Sequence, residues 1–375
     1  MKLKPLFTAL FLSTTLLGGP AMAEIPLTPM KGVESLNMTQ QWDKIFPQSN
    51  QVEHHKVRFK NRFGITLVGD LYIPKNAKGK LPAIAVSGPF GAVKEQTSGL
   101  YAQTLAERGF VTLAFDPSYT GESGGTPRNM ASPDVNTEDF SAALDYLGLQ
   151  NFVDRNRLGV LGICGLGGMA LNDAAMDTRV KAVATSVMYD MSRSIGWGVG
   201  DQKNGYTPEQ RQIVKTYLNN LRWADAESGE RAIGLHEVVL DPNNNVVPIQ
   251  QGLPDELPAN ANPVLAQFHN FYKTQRGYHP RSINSTTAWT ATMPLSFVNI
   301  PMMSYISEIS PRPMLIVTGE NAHSRYMAEE AYQAAGDNPN KELVIVPNAT
   351  HVDLYDNQAG KIPFDTFADF FKKHL

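Results

Sequence analysis

Residues 158–168, Leu-Gly-Val-Leu-Gly-Ile-Cys-Gly-Leu-Gly-Gly, restrict the possible architectures more than any other part of the chain. The apolar run 158–161 reads as a buried strand. A turn, Gly162-Ile163-Cys164-Gly165-Leu166-Gly167, follows at once, and 169–175 is rich in helix formers. Strand, tight glycine-flanked turn and helix, in that order, push the middle residue of the turn out of a sheet in a strained conformation. Glycine neighbours are needed because a side chain two residues away would collide with the turn. The residue displayed in this way is Cys164, the one cysteine of the chain.

The flanking pattern supplies the sheet. Segments 52–60 and 65–73 alternate apolar and polar residues around Asn61-Arg62-Phe63-Gly64, which predicts a β-hairpin. A third strand is expected at 82–87, a helix at 97–108 stopped by Gly109, and a buried strand at 110–115 ending at Asp116-Pro117. Asn136 is expected to cap a helix with Phe140, Leu144 and Leu147 on one face. After the turn at Cys164 and its helix comes another buried strand, 180–187. The alternation then stops. Residues 191–309 are rich in Asn, Gln, Pro and aromatics and hold only helical pieces such as 208–223. Alternation resumes with a strand at 314–318, a helix at 327–335, a last strand at 343–346 and a closing helix at 363–373. The fold class expected is α/β, a mostly parallel sheet with helices on both faces. Core residues 52–190 and 310–375 would carry 191–309 as a cap inserted between the sixth and seventh strands.

The start of the chain reads differently. Met1-Lys2-Leu3-Lys4 is a positive n-region, 6–17 is a short apolar run, and Ala21-Met22-Ala23 is a small-x-small cleavage site. That is the pattern of a secretory signal peptide over 1–23, followed by a polar arm over 24–51. An exported, periplasmic or secreted protein with no membrane span after cleavage is expected. With a net charge of −3 and no basic stripe, nucleic acid is not an expected partner. Oligomeric state is not legible. His and carboxylates are scattered without ligand spacing, so no metal or organic cofactor is implied.

A thiol raised on such a turn needs a base, and the base needs something to orient it. In a strand–turn–helix site of this kind the chain order is nucleophile, acid, histidine. His351, just after the last strand, is the expected base, with His323 as runner-up. Glu320, directly after the strand 314–318, is the expected acid, with Asp190 second. Asp353 and Asp356 are too close in sequence to His351 to support it. Two backbone N–H donors must face a developing oxyanion. Gly165, at the start of its helix, is one. Phe90 is the other, because Pro89 has no N–H. Gly121-Glu122-Ser123-Gly124-Gly125 matches G-x-S-x-G letter for letter. It ends no strand, and Thr126-Pro127-Arg128 follows, so it reads as a turn and not as a nucleophile.

The Gly-x-Cys-x-Gly turn, the Asp116…Gly121-x-Ser-Gly-Gly loop, and the Gly-Glu and Ala-Thr-His segments together resemble the α/β-hydrolase superfamily. Within it the cysteine resembles dienelactone hydrolases. The resemblance covers 52–190 and 310–375. It implies attack by Cys164 on a small carboxylic ester, thioester or lactone, a thioester acyl-enzyme, and hydrolysis by water activated by His351. Dienelactone hydrolases lack a large cap and carry a glutamate where this chain has Gly88. Acyl-peptide or peptide hydrolysis on the same residues, a non-catalytic hydrolase-like binding protein and a redox thiol are the rival readings. Trp197, Trp223, Tyr272, Tyr278 and Trp289 are expected mostly to form the core of the cap, with an apolar acyl pocket as the other use for them.

Overall fold

The protein is described from a computed structural model covering residues 25–75, 78–198 and 205–375. The expected signal peptide over 1–23 lies outside the described residues. Eight strands form one sheet: β1 (Val52–Lys60), β2 (Thr66–Pro74), β3 (Leu81–Ser87), β4 (Val111–Phe115), β5 (Val153–Ile163), β6 (Val180–Ser186), β7 (Met314–Gly319) and β8 (Lys341–Val346). Their order across the sheet is β1-β2-β4-β3-β5-β6-β7-β8. β1 and β2 pair antiparallel from Val52↔Pro74 to Lys60↔Thr66, β2 pairs antiparallel with β4, and every other pair is parallel. Helices on both faces complete the α/β-hydrolase architecture that the alternation predicts.

Local chemistry accounts for the framework. At the β1–β2 turn the Asn61 side chain accepts from the N–H groups of Phe63 (3.1 Å) and Ile65 (3.0 Å), and Gly64 takes φ +83°. β5 is central, between β3 and β6, so its last six residues, 158–163, are buried on both faces. An uninterrupted apolar run is therefore the only composition that fits there. The helix expected to start at Asn136 begins one turn earlier, at Pro133, and runs to Leu149. Asn136 lies inside it and its Oδ1 accepts from the N–H of Ser132 (2.9 Å). Proline is tolerated at the first helical position because its missing N–H would have no partner there.

The described part of 191–309 holds the helices Met191–Trp197, Pro208–Ser228 and Pro263–Tyr272 and two two-stranded ribbons. Tyr272 and Trp289 are buried, but Trp197, Trp223 and Tyr278 are exposed, Trp223 by 71%. Most of the five aromatics therefore do not form a core. Among the described residues no helix is long and apolar enough to cross a membrane.

Candidate active site

β5 ends at Ile163, a helix runs from Gly165 to Met176, and Cys164 joins them at φ 53° and ψ −125°. Such a backbone costs on the order of 1–3 kcal/mol and persists only where its surroundings hold it. Here the Cys164 N–H donates to Ser186 O (2.9 Å), and its carbonyl accepts from the N–H groups of Gly167 and Tyr189 (both 2.9 Å). Two glycines make the bend possible. A Cβ on Gly162 would lie 2.3 Å from Leu166 O, and one on Gly88, at φ +113°, would lie 2.1 Å from Ile163 O. The second contact brings the loop after β3 against the bend. The N–H groups of Phe90 and Gly165 direct hydrogen bonds toward the sulfur, which also shares a hydrogen bond with the Tyr355 hydroxyl. Burial outweighs these donors and pushes the thiol up to about 11, so it is held as a neutral S–H.

The imidazole of His351 is fully buried. Its Nδ1 lies 2.7 Å from Ser324 Oγ, and its Nε2 lies 3.0 Å from the Tyr355 hydroxyl. Burial, and then the neighbouring His323, hold His351 well below the usual histidine range. The two imidazoles are 4.7 Å apart. His323 is itself lowered to about 4 by burial and is hydrogen-bonded to the Tyr189 hydroxyl.

This geometry corrects the expected Cys164–His351–Glu320 triad. Both ring nitrogens of His351 are engaged by hydroxyls. The Glu320 carboxylate is turned outward, where it accepts from the N–H of Asn348 (2.8 Å). The residue under the imidazole is Ser324, four positions further on, where the chain enters the helix Arg325–Ala334. Packing explains the difference. A Cβ on Gly319 would sit 2.3 Å from Ala349 O, so the chain end of β7 is pressed against the loop that carries His351. The next residue, Glu320, points away from that contact, and the chain turns back only at Ser324. The hydroxyl–imidazole pair at the site is thus Ser324–His351, which overturns the expected cysteine-nucleophile mechanism with its thioester intermediate.

The other candidates are occupied elsewhere. Asp190 caps the helix Met191–Trp197 by accepting from the N–H of Arg193 (3.1 Å). Asp353 pairs with Lys361 (2.9 Å) and Asp356 with Arg276 (2.7 Å). Ser123 is buried, donates to Asp116 O (2.7 Å) and accepts from the N–H of Val68 (2.9 Å), so it is a structural turn residue. Ser324 and Tyr355 were missed by sequence reasoning. A serine opening a helix and a tyrosine four residues past the histidine were the available signals.

The loop after β3 is anchored from below and above. Lys94 is fully buried with its Nζ 2.7 Å from Glu95, 2.9 Å from Asp116 and 2.7 Å from Glu122. Burial pulls its pKa down, but Asp116, Glu95, Asp70 and Glu122 hold it well above the lysine range. From 191–309, Ser282 Oγ donates to Gly91 O (2.9 Å), Asn284 Nδ2 donates to Phe90 O (2.8 Å), and Arg281 pairs with Glu95 (2.8 Å). The Phe90 ring stacks on Trp289 with centroids 4.2 Å apart and meets the edge of Phe297. Phe297 also walls a cavity of about 810 Å³ lined by Asp190, Arg193, Trp197, Tyr206 and Arg211, which reaches neither Cys164 nor His351. Among the described residues no group of three or more His, Cys, Asp or Glu side chains is placed to hold a metal ion.

Several known proteins are similar to all or part of this chain. A family model described as PETase, PET hydrolase-like, matches residues 48–197. The uncharacterized protein PA2218 of Pseudomonas aeruginosa is 58% identical over 341 residues, 91% of this chain and 86% of that protein. The crystal structure of PA2218 matches with a TM-score of 0.83 at 57% identity, over 91% of this chain and 100% of the crystallised one. The uncharacterized protein YcjY of Escherichia coli is 34% identical over 332 residues, 86% of this chain and 99% of its own. A thiohydrolase of Eupenicillium brefeldianum is 32% identical over 135 residues, 36% of this chain and 43% of that enzyme. These likenesses support an esterase-like α/β-hydrolase fold related to PET hydrolases and dienelactone hydrolases, and the expected branch with a cysteine nucleophile is corrected by the Ser324–His351 pair.

Proposed function

We propose that this chain, which belongs to the α/β-hydrolase superfamily and to the family of PA2218 and YcjY, hydrolyses small carboxylic esters and lactones with the Ser324–His351 dyad. The observation that carries this reading is the 2.7 Å contact between Ser324 Oγ and His351 Nδ1. The imidazole is buried, and its other nitrogen, Nε2, meets the Tyr355 hydroxyl, which reaches Cys164, where the N–H groups of Phe90 and Gly165 converge.

In this reading the substrate carbonyl lies against those two N–H groups, which stabilise the charge that grows on its oxygen. His351 donates Nδ1–H to Ser324 Oγ, which fixes one tautomer and leaves Nε2 as the acceptor. A water molecule attacks the carbonyl carbon as Nε2 takes its proton; the bond from that carbon to the alkoxide then breaks, and Nε2 returns the proton to the leaving alkoxide. Glu320 has no part in this, being engaged with Asn348. Residues 191–309 act as the cap, since Ser282, Asn284 and Arg281 hold the loop that bears Phe90. The partial likeness to a thiohydrolase agrees with chemistry at an acyl group. The n-region, apolar run and cleavage site over 1–23 support export to the periplasm or beyond.

The test is an assay of the mature protein on a panel of short-chain nitrophenyl esters, a small lactone and a dipeptide amide, across pH 4–9. Hydrolysis of the ester and lactone is expected, with the dipeptide left intact. The acidic limb of kcat/KM is expected below pH 6.5. The sign follows from the imidazole: its folded pKa is lowered, so the neutral base persists as pH falls past 6.5 and is lost only below that. Turnover of the dipeptide alone, or an acidic limb above pH 7, would overturn the proposal.

A further inference from the structure

We infer that the Tyr355 hydroxyl is a catalytic group of this site, passing the proton between His351 Nε2 and the acyl group held at the bend of Cys164. The inference rests on the dyad proposed above and assigns a residue that the dyad does not include. Tyr355 follows His351 by four residues and is fully buried. Its hydroxyl lies 3.0 Å from Nε2 on one side and hydrogen-bonds toward Cys164 Sγ on the other. The hydroxyl thus links the imidazole's accepting nitrogen to the residue at which the Phe90 and Gly165 N–H groups meet, and offers a proton moving from that point to Nε2 a path through its oxygen.

The position is held firmly enough for such a role. The Tyr355 ring packs edge-on against Phe271 and His351, each with centroids 5.2 Å away. Its N–H donates to Val352 O (3.0 Å), and the preceding carbonyl, Leu354 O, accepts from the Tyr101 hydroxyl (2.8 Å). Its oxygen lies against His351 Nε2 and the Cys164 sulfur, and the Tyr272 hydroxyl is its further neighbour.

The transfer balances with water, the co-reactant of hydrolysis. As the water oxygen bonds to the carbonyl carbon, Tyr355 Oη accepts the proton it releases and gives its own hydrogen to Nε2. Collapse of the tetrahedral intermediate runs the same path backwards, from Nε2–H through Oη to the leaving alkoxide. Tyrosine ends each half in the state in which it began, and the imidazolium exists only between them, steadied by Ser324.

Tyr355→Phe removes the oxygen and keeps the ring. The wild-type enzyme and this variant are compared on the best ester of the panel by kcat, KM and rates in H2O/D2O mixtures, with thermal unfolding as the check on folding. The expected result is a loss in kcat of about 10–100-fold with KM within about twofold. The dependence of rate on deuterium fraction is expected to be curved for wild type, with two protons in flight, and straight for Tyr355→Phe. A kcat within about twofold of wild type, or a dependence still curved in the variant, overturns the inference. His351→Ala and Ser324→Ala run alongside. If these lose activity while Tyr355→Phe does not, this inference alone falls; if these retain it, the dyad itself falls.

Discussion

His351→Ala is expected to reduce kcat on small esters by about 10²–10⁴-fold, the usual contribution of a positioned general base. Among the described residues, the other candidates for a base are already engaged. His323 lies beside His351, but its Nε2 is engaged by the Tyr189 hydroxyl and burial has lowered it to about 4. The carboxylates Glu320, Asp353 and Asp356 are committed to Asn348, Lys361 and Arg276. The substitution leaves a cavity under Phe268, whose ring lies 5.6 Å from that of His351, so circular dichroism and thermal unfolding must accompany the assay. A folded variant with more than about a tenth of wild-type kcat would remove His351 from the mechanism.

Lys94→Met is expected to destabilise the protein by about 3–5 kcal/mol, read from urea unfolding monitored by tryptophan fluorescence. The methionine nearly fills the space but leaves Glu95, Asp116 and Glu122 facing one another without their shared cation. Removing one partner from a buried ionic group costs far more than the group contributes when intact, because the remaining charges have no solvent to turn to. Lys56 lies 2.7 Å from Glu122 and Arg281 lies 2.8 Å from Glu95, but neither reaches Asp116. Asp116 also receives the N–H of Lys94 (2.7 Å) and that of Glu122 (2.9 Å), so its disturbance is transmitted to the loop that carries Phe90. Activity is expected to fall with stability for that reason. A change in unfolding free energy below about 1 kcal/mol would mean that the cluster is not the anchor described here.

The parts of this protein that can be read from sequence are those governed by local rules. The bend at Cys164 is legible because a buried strand, a glycine-flanked turn and a helix start each leave a short pattern, and the three are adjacent. His351 is legible because the order of strands leaves one place for a base, after the last of them. Ser123 can be set aside because its pattern ends no strand. What could not be read depends on where loops go. Glu320 occupies the expected position in sequence, yet the contact between Gly319 and Ala349 turns it outward and brings Ser324 beneath the imidazole instead. Tyr355 and the Lys94 cluster are invisible for a related cause: their partners come from distant segments, and no local pattern marks a buried hydroxyl or a buried lysine. The cap aromatics show the same limit, since Trp223 and Trp289 look alike in sequence but one is exposed and the other buried.

The most direct test of the central claim compares kcat/KM of Ser324→Ala and Glu320→Gln on one ester, at a pH where His351 is neutral. The account predicts a loss of at least about tenfold for Ser324→Ala and a change within about twofold for Glu320→Gln. The reverse ranking, with the serine dispensable and the glutamate essential, would contradict it.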